Sequence, residues 1–319
     1  MNARHGQIAI ATLLAGLLAA APQARAQTQG QFLLGLVSIA ANEANNARFI
    51  QGATAAAQAR HWTVSVIDAQ GSADQANAAI QNLVQRKAGA VIDLVFPETS
   101  LGAGLASAKA AGVPVGTWGG GLGNGVAATN GTGGPLAEPM INMIVQDLGG
   151  QGALLELTYH TGQVCREREE LADSILAKVP GIKVTKDEVH IPGFFQDGAQ
   201  YATAWLAAHP KGSGNLAIWG CWDDPAVGAI SALRQQVRTD VKVYGDNGNA
   251  QALDAIRRGY MTATAWQNSV AEGTRLVETL DEAIKAGASW QPKAVEVPPV
   301  VVTKANVADF VKQHPEAVQ

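Results

Sequence analysis

Residues 90–118 read AVIDLVFPETSLGAGLASAKAAGVPVGTW. The apolar run over 90–95 has the length of a fully buried strand. Residues 101–111 form an Ala- and Leu-rich helical stretch that Gly112 ends, and 113–118 is the next strand. Two strands separated by one helix pair in parallel, because the crossover returns the chain to the same edge direction. A repeated unit of this kind builds a parallel, doubly wound sheet.

The same alternation continues on both sides. Strands are expected over 32–39 and 61–68, and helices over 47–60 and 72–86. Ser72 is the expected N-cap of the second helix, with Asp74 and Gln75 in its first turn. In 61–68, Val64 and Val66 alternate with Thr63 and Ser65, which reads as one buried and one exposed face. A Gly-rich segment, 119–134, interrupts the pattern. Strands then follow over 152–158, 183–190, 215–219, 242–245 and 261–266, between helices over 136–148, 165–177, 196–208, 225–236, 250–258 and 270–286. An extended segment over 295–303 and a short helix over 306–313 close the chain. One parallel sheet of ten or more strands normally splits into separate domains, so two α/β lobes are expected. Open parallel sheets bind ligands at the carboxyl ends of their strands. Two such ends facing each other make one cleft, and strand-end residues become the candidates for contact.

Composition narrows the function. A weakly basic start (Arg4, His5), an apolar run over 8–21 and Ala24-Arg25-Ala26 form the order of a secretory signal peptide, with cleavage expected after Ala26. The run is shorter than the roughly 18–20 residues a membrane-spanning helix needs. Without the first 26 residues, 21 Lys and Arg face 27 Asp and Glu, a net charge of about −6. Such a balance gives no electrostatic footprint for nucleic acid. Cys165 and Cys221 either pair in an oxidising periplasm or sit apart as two small buried side chains. Their spacing is not a metal pattern, so no metal and no cofactor is expected. His160, Ser174 and Asp223 are not tied together by a nucleophile elbow, a P-loop or metal-ligand spacing, so catalysis is not expected.

In order and spacing, a series of segments resembles the ribose-type periplasmic sugar-binding proteins, the type I solute-binding fold. These are Ser38-Ile39-Ala40-Ala41-Asn42, Ala110-Ala111-Gly112-Val113-Pro114-Val115, Cys165-Arg166-Glu167-Arg168, Trp222-Asp223-Asp224-Pro225, Val243-Tyr244-Gly245-Asp246-Asn247-Gly248 and Thr262-Ala263-Thr264-Ala265-Trp266-Gln267. The resemblance runs from about residue 31 to residue 310. It implies two doubly wound lobes joined by three crossings, near 129–131, 266–268 and 296–299. The N-terminal lobe would hold 30–129 plus 268–296, and the C-terminal lobe 130–267 plus 297–319. It also implies a monomer without enzymatic activity that closes on a small molecule, and the membrane subunits of an ATP-driven (ABC) importer as partner. A chemoreceptor or sensor kinase is the alternative receiver.

By the resemblance, Arg166 takes the place of the family's ligand-binding arginine and Gln267 that of its hinge glutamine. The chain departs from the pattern elsewhere. Glu43, Asn45 and Asn46 stand where the family places aromatics, and Trp118-Gly119 stands where it has Asp-Arg. Trp222 replaces an asparagine, and the family's aspartate falls on Asn247, with Asp246 just before it. Trp118, Trp222 and Trp266 come from different strand ends and are expected to converge on the cleft. Asp223 is expected either there or as a helix cap. Tryptophans beside acids suit a sugar or polyol stacked on an aromatic face, or a cation held by π-faces. The expected ligand is a sugar or sugar-like polyol. An aromatic or quaternary-amine solute is the alternative.

Overall fold

The computed structural model describes Met1 and residues 32–131 and 133–318. Apart from Met1, the expected signal segment lies outside the described residues.

The first lobe begins β1 (Leu33–Ser38), α1 (Ala44–Gln58), β2 (Thr63–Asp68), α2 (Ala73–Gln85), β3 (Ala90–Leu94), α3 (Gly102–Ala110), β4 (Val115–Trp118) and β5 (Ala128–Asn130). The second holds α4 (Gly134–Asp147), β6 (Gly152–Thr158), α5 (Gln163–Leu176), β7 (Ile182–Glu188), α6 (Phe194–Ala208), β8 (Leu216–Gly220), α7 (Asp223–Gln235), β9 (Val241–Asn247), α8 (Ala250–Arg258) and β10 (Ala263–Trp266). The chain then passes through α9 (Ser269–Ala286) and β11 (Lys293–Ala294) in the first lobe. It ends with β12 (Val300–Thr303) and α10 (Val307–Gln313) in the second.

The strand orders are β11-β5-β4-β3-β1-β2 and β12-β10-β9-β8-β6-β7. All pairs are parallel except β12, which runs antiparallel to β10. In each sheet the direction of winding reverses beside the first strand, β1 or β6. The loops leaving that strand and its neighbour diverge there, which opens a crevice at the carboxyl end.

Local chemistry explains the elements and four departures from the sequence reading. Ser72 caps α2 by accepting from the amide of Gln75, as expected. Helix α1 starts at Ala44, three residues earlier than expected, because the Glu43 carboxylate caps it by accepting from the amide of Asn46. In β2, Val66 is 43% exposed, against the expected buried face: β2 is an edge strand with a single neighbour, β1. The Gly-rich interruption contains β5, too short for a periodic signal, which pairs with β4 from Gly116↔Ala128 to Trp118↔Asn130. Of the expected extended segment over 295–303 only β12 is strand; β11 precedes it in the other sheet, and Pro298 and Pro299 lie between the two. Proline has no N–H to give to a ladder.

The helices α1 and α9 meet backbone to backbone. A Cβ at Gly52 would stand 2.0 Å from the carbonyl oxygen of Val270, and one at Gly273 2.2 Å from that of Phe49. Cys165 and Cys221 form a disulfide with a Cα–Cα distance of 5.5 Å, joining the first turn of α5 to the residue after β8.

Candidate ligand-binding cleft

A cavity with about 500 Å³ of empty space, part of it open to solvent, lies between the carboxyl ends of the two sheets. The first lobe supplies Ile39, Glu43, Asn45, Asn46, Val95 and Trp118 to its lining. From the second lobe come Tyr159, Val164, Cys165, Arg168, Ile191, Trp222 and Asn247, together with Gln267 just beyond β10. Most of these residues end a strand or follow one closely, which is where parallel sheets present side chains to a ligand.

Seven of the expected site residues therefore meet here: Glu43, Asn45, Asn46, Trp118, Trp222, Asn247 and Gln267. Four do not. Arg166 is absent from the lining, and its guanidinium hydrogen-bonds Gln163 on its own helix. Two residues along a helix turn a side chain by roughly 200°, so Arg168 faces the cavity and Arg166 does not. Asp223 is fully buried and accepts from the amide of Asn249 and the hydroxyl of Thr264, each at 2.7 Å. It ties α7 to the start of α8 and neither faces the cavity nor caps its own helix. Asp246 is fully buried behind the wall, accepting from Trp219 Nε1 at 3.1 Å. Trp266 packs edge-on against Phe310 at 5.1 Å and against His314 at 4.6 Å, so the C-terminal helix absorbs it.

Arg168 is the functional candidate the motif reading missed. It is 2% exposed, donates from Nη1 to the carbonyl of Cys221 and, at 3.2 Å, to Asn247 Oδ1. Burial lowers its pKa, and the charges of Asp246 and Asp223 oppose that. Its signal was present in the sequence. Cys165, Arg168, Ala172 and Leu176 are the buried residues of α5, spaced as one helical stripe, and a guanidinium on an apolar stripe is rarely there for packing.

The two tryptophans of the lining are held differently. Trp118 stacks on Phe49 with ring centroids 4.7 Å apart, and its Nε1 donates to Glu272 Oε2 at 2.7 Å. Trp222 is braced edge-on by Tyr159 at 6.0 Å and Phe194 at 5.6 Å, and its buried Nε1 has no partner among the described residues. Acids crowd the cleft region. Burial raises Glu43, and raises Asp224 to about 8 with the Glu43 charge adding to the effect. The two carboxyls influence each other's titration, the interaction lowering Glu43 and raising Asp224. Burial likewise pushes Asp223, Asp246 and Glu272 up to about 7. Arg48 on α1 bridges the lobes, donating to the carbonyls of Asn247 at 3.2 Å and Gly248 at 3.3 Å. Among the described residues no group of His, Cys, Asp and Glu is arranged to hold a metal, and no helix is long and apolar enough to cross a membrane.

The family described as periplasmic binding protein domain matches residues 35–288. The chain is 28% identical over 233 residues to a xylitol-binding protein of Mycolicibacterium smegmatis, a match covering 72% of this chain and 65% of that relative's length. It is 26% identical over 259 residues to the ribose import binding protein of Bacillus subtilis, covering 77% and 80% of the two chains. In structure it matches an ABC transporter solute-binding protein from Agrobacterium vitis with bound allitol, at TM-score 0.81 and 22% identity, over 89% of this chain and 99% of that one.

Proposed function

The chain belongs to the periplasmic binding protein domain family, and from that premise we propose that it is an exported solute-binding protein that captures a small sugar or sugar-like polyol for an ATP-driven importer. The observation that carries the ligand class is the Trp222 indole N–H, a buried donor without a partner among the described residues, on a ring that lines the cavity. Such a donor needs an acceptor. A hydroxyl oxygen supplies one, and a quaternary ammonium does not. The aromatic faces of Trp118, Trp222 and Tyr159 suit the C–H side of the same molecule, and Arg168 and Glu43 suit its hydroxyls. Relatives that bind xylitol and ribose support this class.

The lobes act as 30–129 plus 268–296 and 130–267 plus 297–319, preceded by a signal peptide cleaved after Ala26. Capture works by hinge closure without chemical conversion. Contacts made to both walls exist only in the closed form, so the ligand shifts the population toward it by its differential affinity for the two states. The importer reads the closed arrangement of a monomer.

A thermal-shift screen of pentoses, hexoses, pentitols, hexitols, sugar acids and quaternary amines tests this reading. A matching ligand at 100 times its Kd stabilises by about 2.7 kcal/mol. A sugar or polyol is expected to raise Tm. A response confined to quaternary amines would overturn the ligand class.

A further inference from the structure

We propose that Glu272 is a positioning residue that sets the Trp118 ring in the wall of the cleft. For the role of that ring in ligand capture the inference rests on the binding reading above. Glu272 lies in the first turn of α9, where the exposed amides of a helix start favour a negative side chain. Three groups converge on it. Its Oε2 accepts from Trp118 Nε1 at 2.7 Å, its Oε1 accepts from Gln267 Nε2 at 3.1 Å, and its backbone carbonyl accepts from Asn130 Nδ2 at 2.7 Å. Asn130 stands opposite Trp118 in the sheet register. The ends of β4 and β5 and the crossing after β10 are thus gathered on one residue of the helix that returns to the first lobe.

The gathering continues across the floor of the cavity. Gln267 Oε1 accepts from Asn45 Nδ2 at 3.3 Å, and Asn45 Oδ1 accepts from Arg48 Nη2 at 3.2 Å and from the Ser269 hydroxyl. Arg48 in turn holds carbonyls of the second lobe. One hydrogen-bonded line, Arg48–Asn45–Gln267–Glu272–Trp118, therefore runs from the lobe interface to the aromatic platform. The platform is rigid by construction. Phe49 backs the ring, and the glycine contact that brings α9 onto α1 fixes Phe49 and Glu272 relative to each other. Because its N–H is already spent, Trp118 offers a ligand its face and not a donor.

The chemistry predicts an asymmetry that a space-filling role lacks. Both carboxyl oxygens of Glu272 accept. Glutamine has the same volume, but its amide nitrogen donates, so Glu272→Gln sets a donor against either Trp118 or Gln267. The charged group that faces Glu272 is Arg168, from α5; Arg48 reaches it only through Asn45 and Gln267. Burial raises Glu272 to about 7, within reach of a pH titration.

The test is the ¹H–¹⁵N spectrum of the tryptophan indoles in the mature protein, with the Trp118 resonance identified by its loss in Trp118→Phe. In the native chain that resonance is expected to titrate near neutral pH, and in Glu272→Gln to shift and stay flat. Affinity for xylitol and allitol as probes is expected to fall about tenfold in Glu272→Gln, and far less when the same change is made in the Trp118→Phe background. A Trp118 resonance that Glu272→Gln leaves in place, or a Gln variant with native probe affinity, would overturn the positioning role. If the resonance behaves as expected while neither probe nor any other sugar or polyol binds, positioning stands and the binding reading falls.

Discussion

On the first lobe's wall, Asn45 has both ends of its amide engaged by protein groups, Glu43 caps α1, and Trp118 has given its N–H to Glu272. On the second lobe's wall, Trp222 keeps its N–H without a partner among the described residues, and Arg168 reaches the lining with a charge that cannot be neutralised by losing a proton. Apart from one Glu43 oxygen with no partner among the described residues, the polar groups named on the first wall serve its own rigidity. The second carries the hydrogen-bonding capacity a ligand has to meet. Closure on this view brings a wall with an open donor onto one whose tryptophan N–H is already spent.

Arg168→Ala should break the second wall outright. Removing one member of a buried charge cluster leaves Asp246 without its counter-charge, at about 3–5 kcal/mol of stability, and truncating a hydrogen-bonded charge at the ligand costs about 2–5 kcal/mol of binding. Chemical denaturation and titration calorimetry read the two separately. Arg166→Ala is the control two residues away, expected within about 0.5 kcal/mol of native stability and with native affinity. If Arg166→Ala loses binding and Arg168→Ala keeps it, the assignment of the wall is reversed.

Trp222→Phe sharpens the contrast by removing the open donor and keeping an aromatic ring. A loss of about 1 kcal/mol in binding, near fivefold, is expected with little change in stability. Equal stability losses in Trp222→Phe and Trp118→Phe would erase the distinction between a spent and an open N–H.

The smallest effects come from the lobe cores, where each sheet buries a carboxyl with neither oxygen partnered among the described residues: Asp93 in β3 and Glu156 in β6. Desolvation raises Asp93 well above its ordinary range and, as the largest cause, raises Glu156 to about 8. A raised acid binds a proton in the folded chain that the unfolded chain has released. Its contribution is therefore complete below the unfolded pKa, about 4, and is lost as pH rises toward the folded one. Asp93→Asn and Glu156→Gln are each expected to raise Tm at pH 8 and to give no such gain at pH 4. Gains that grow toward acid pH would contradict the sign.

The two-lobed architecture was legible because parallel strands buried on both faces leave near-continuous apolar runs, as in 90–95, and because the helices between them end at clear signals such as Gly112. Strand ends and the loops after them then located half of the lining residues, including Trp118, Trp222 and Asn247. What escaped was side-chain direction. A motif aligned by residue type placed the arginine at 166, whereas helical phase places it at 168, and the buried stripe of α5 carries that phase. Trp266 escaped for a different reason. Its cover, Phe310 and His314, arrives with a terminal helix more than forty residues later, and no local pattern announces that docking. The hydrogen-bonded line through Glu272 was invisible because it depends on the close approach of α1 and α9.

The disulfide lies in the lining itself. Cys165 touches the cavity, and the carbonyl of Cys221 receives Arg168. The second wall is consequently assembled in two chemical steps, folding and oxidation, and the second proceeds only where thiols are oxidised. Protein made in a reducing cytosol starts with that wall unstapled, so preparations differing only in thiol content should differ in ligand retention. A count of free thiols belongs beside every affinity measured on this chain.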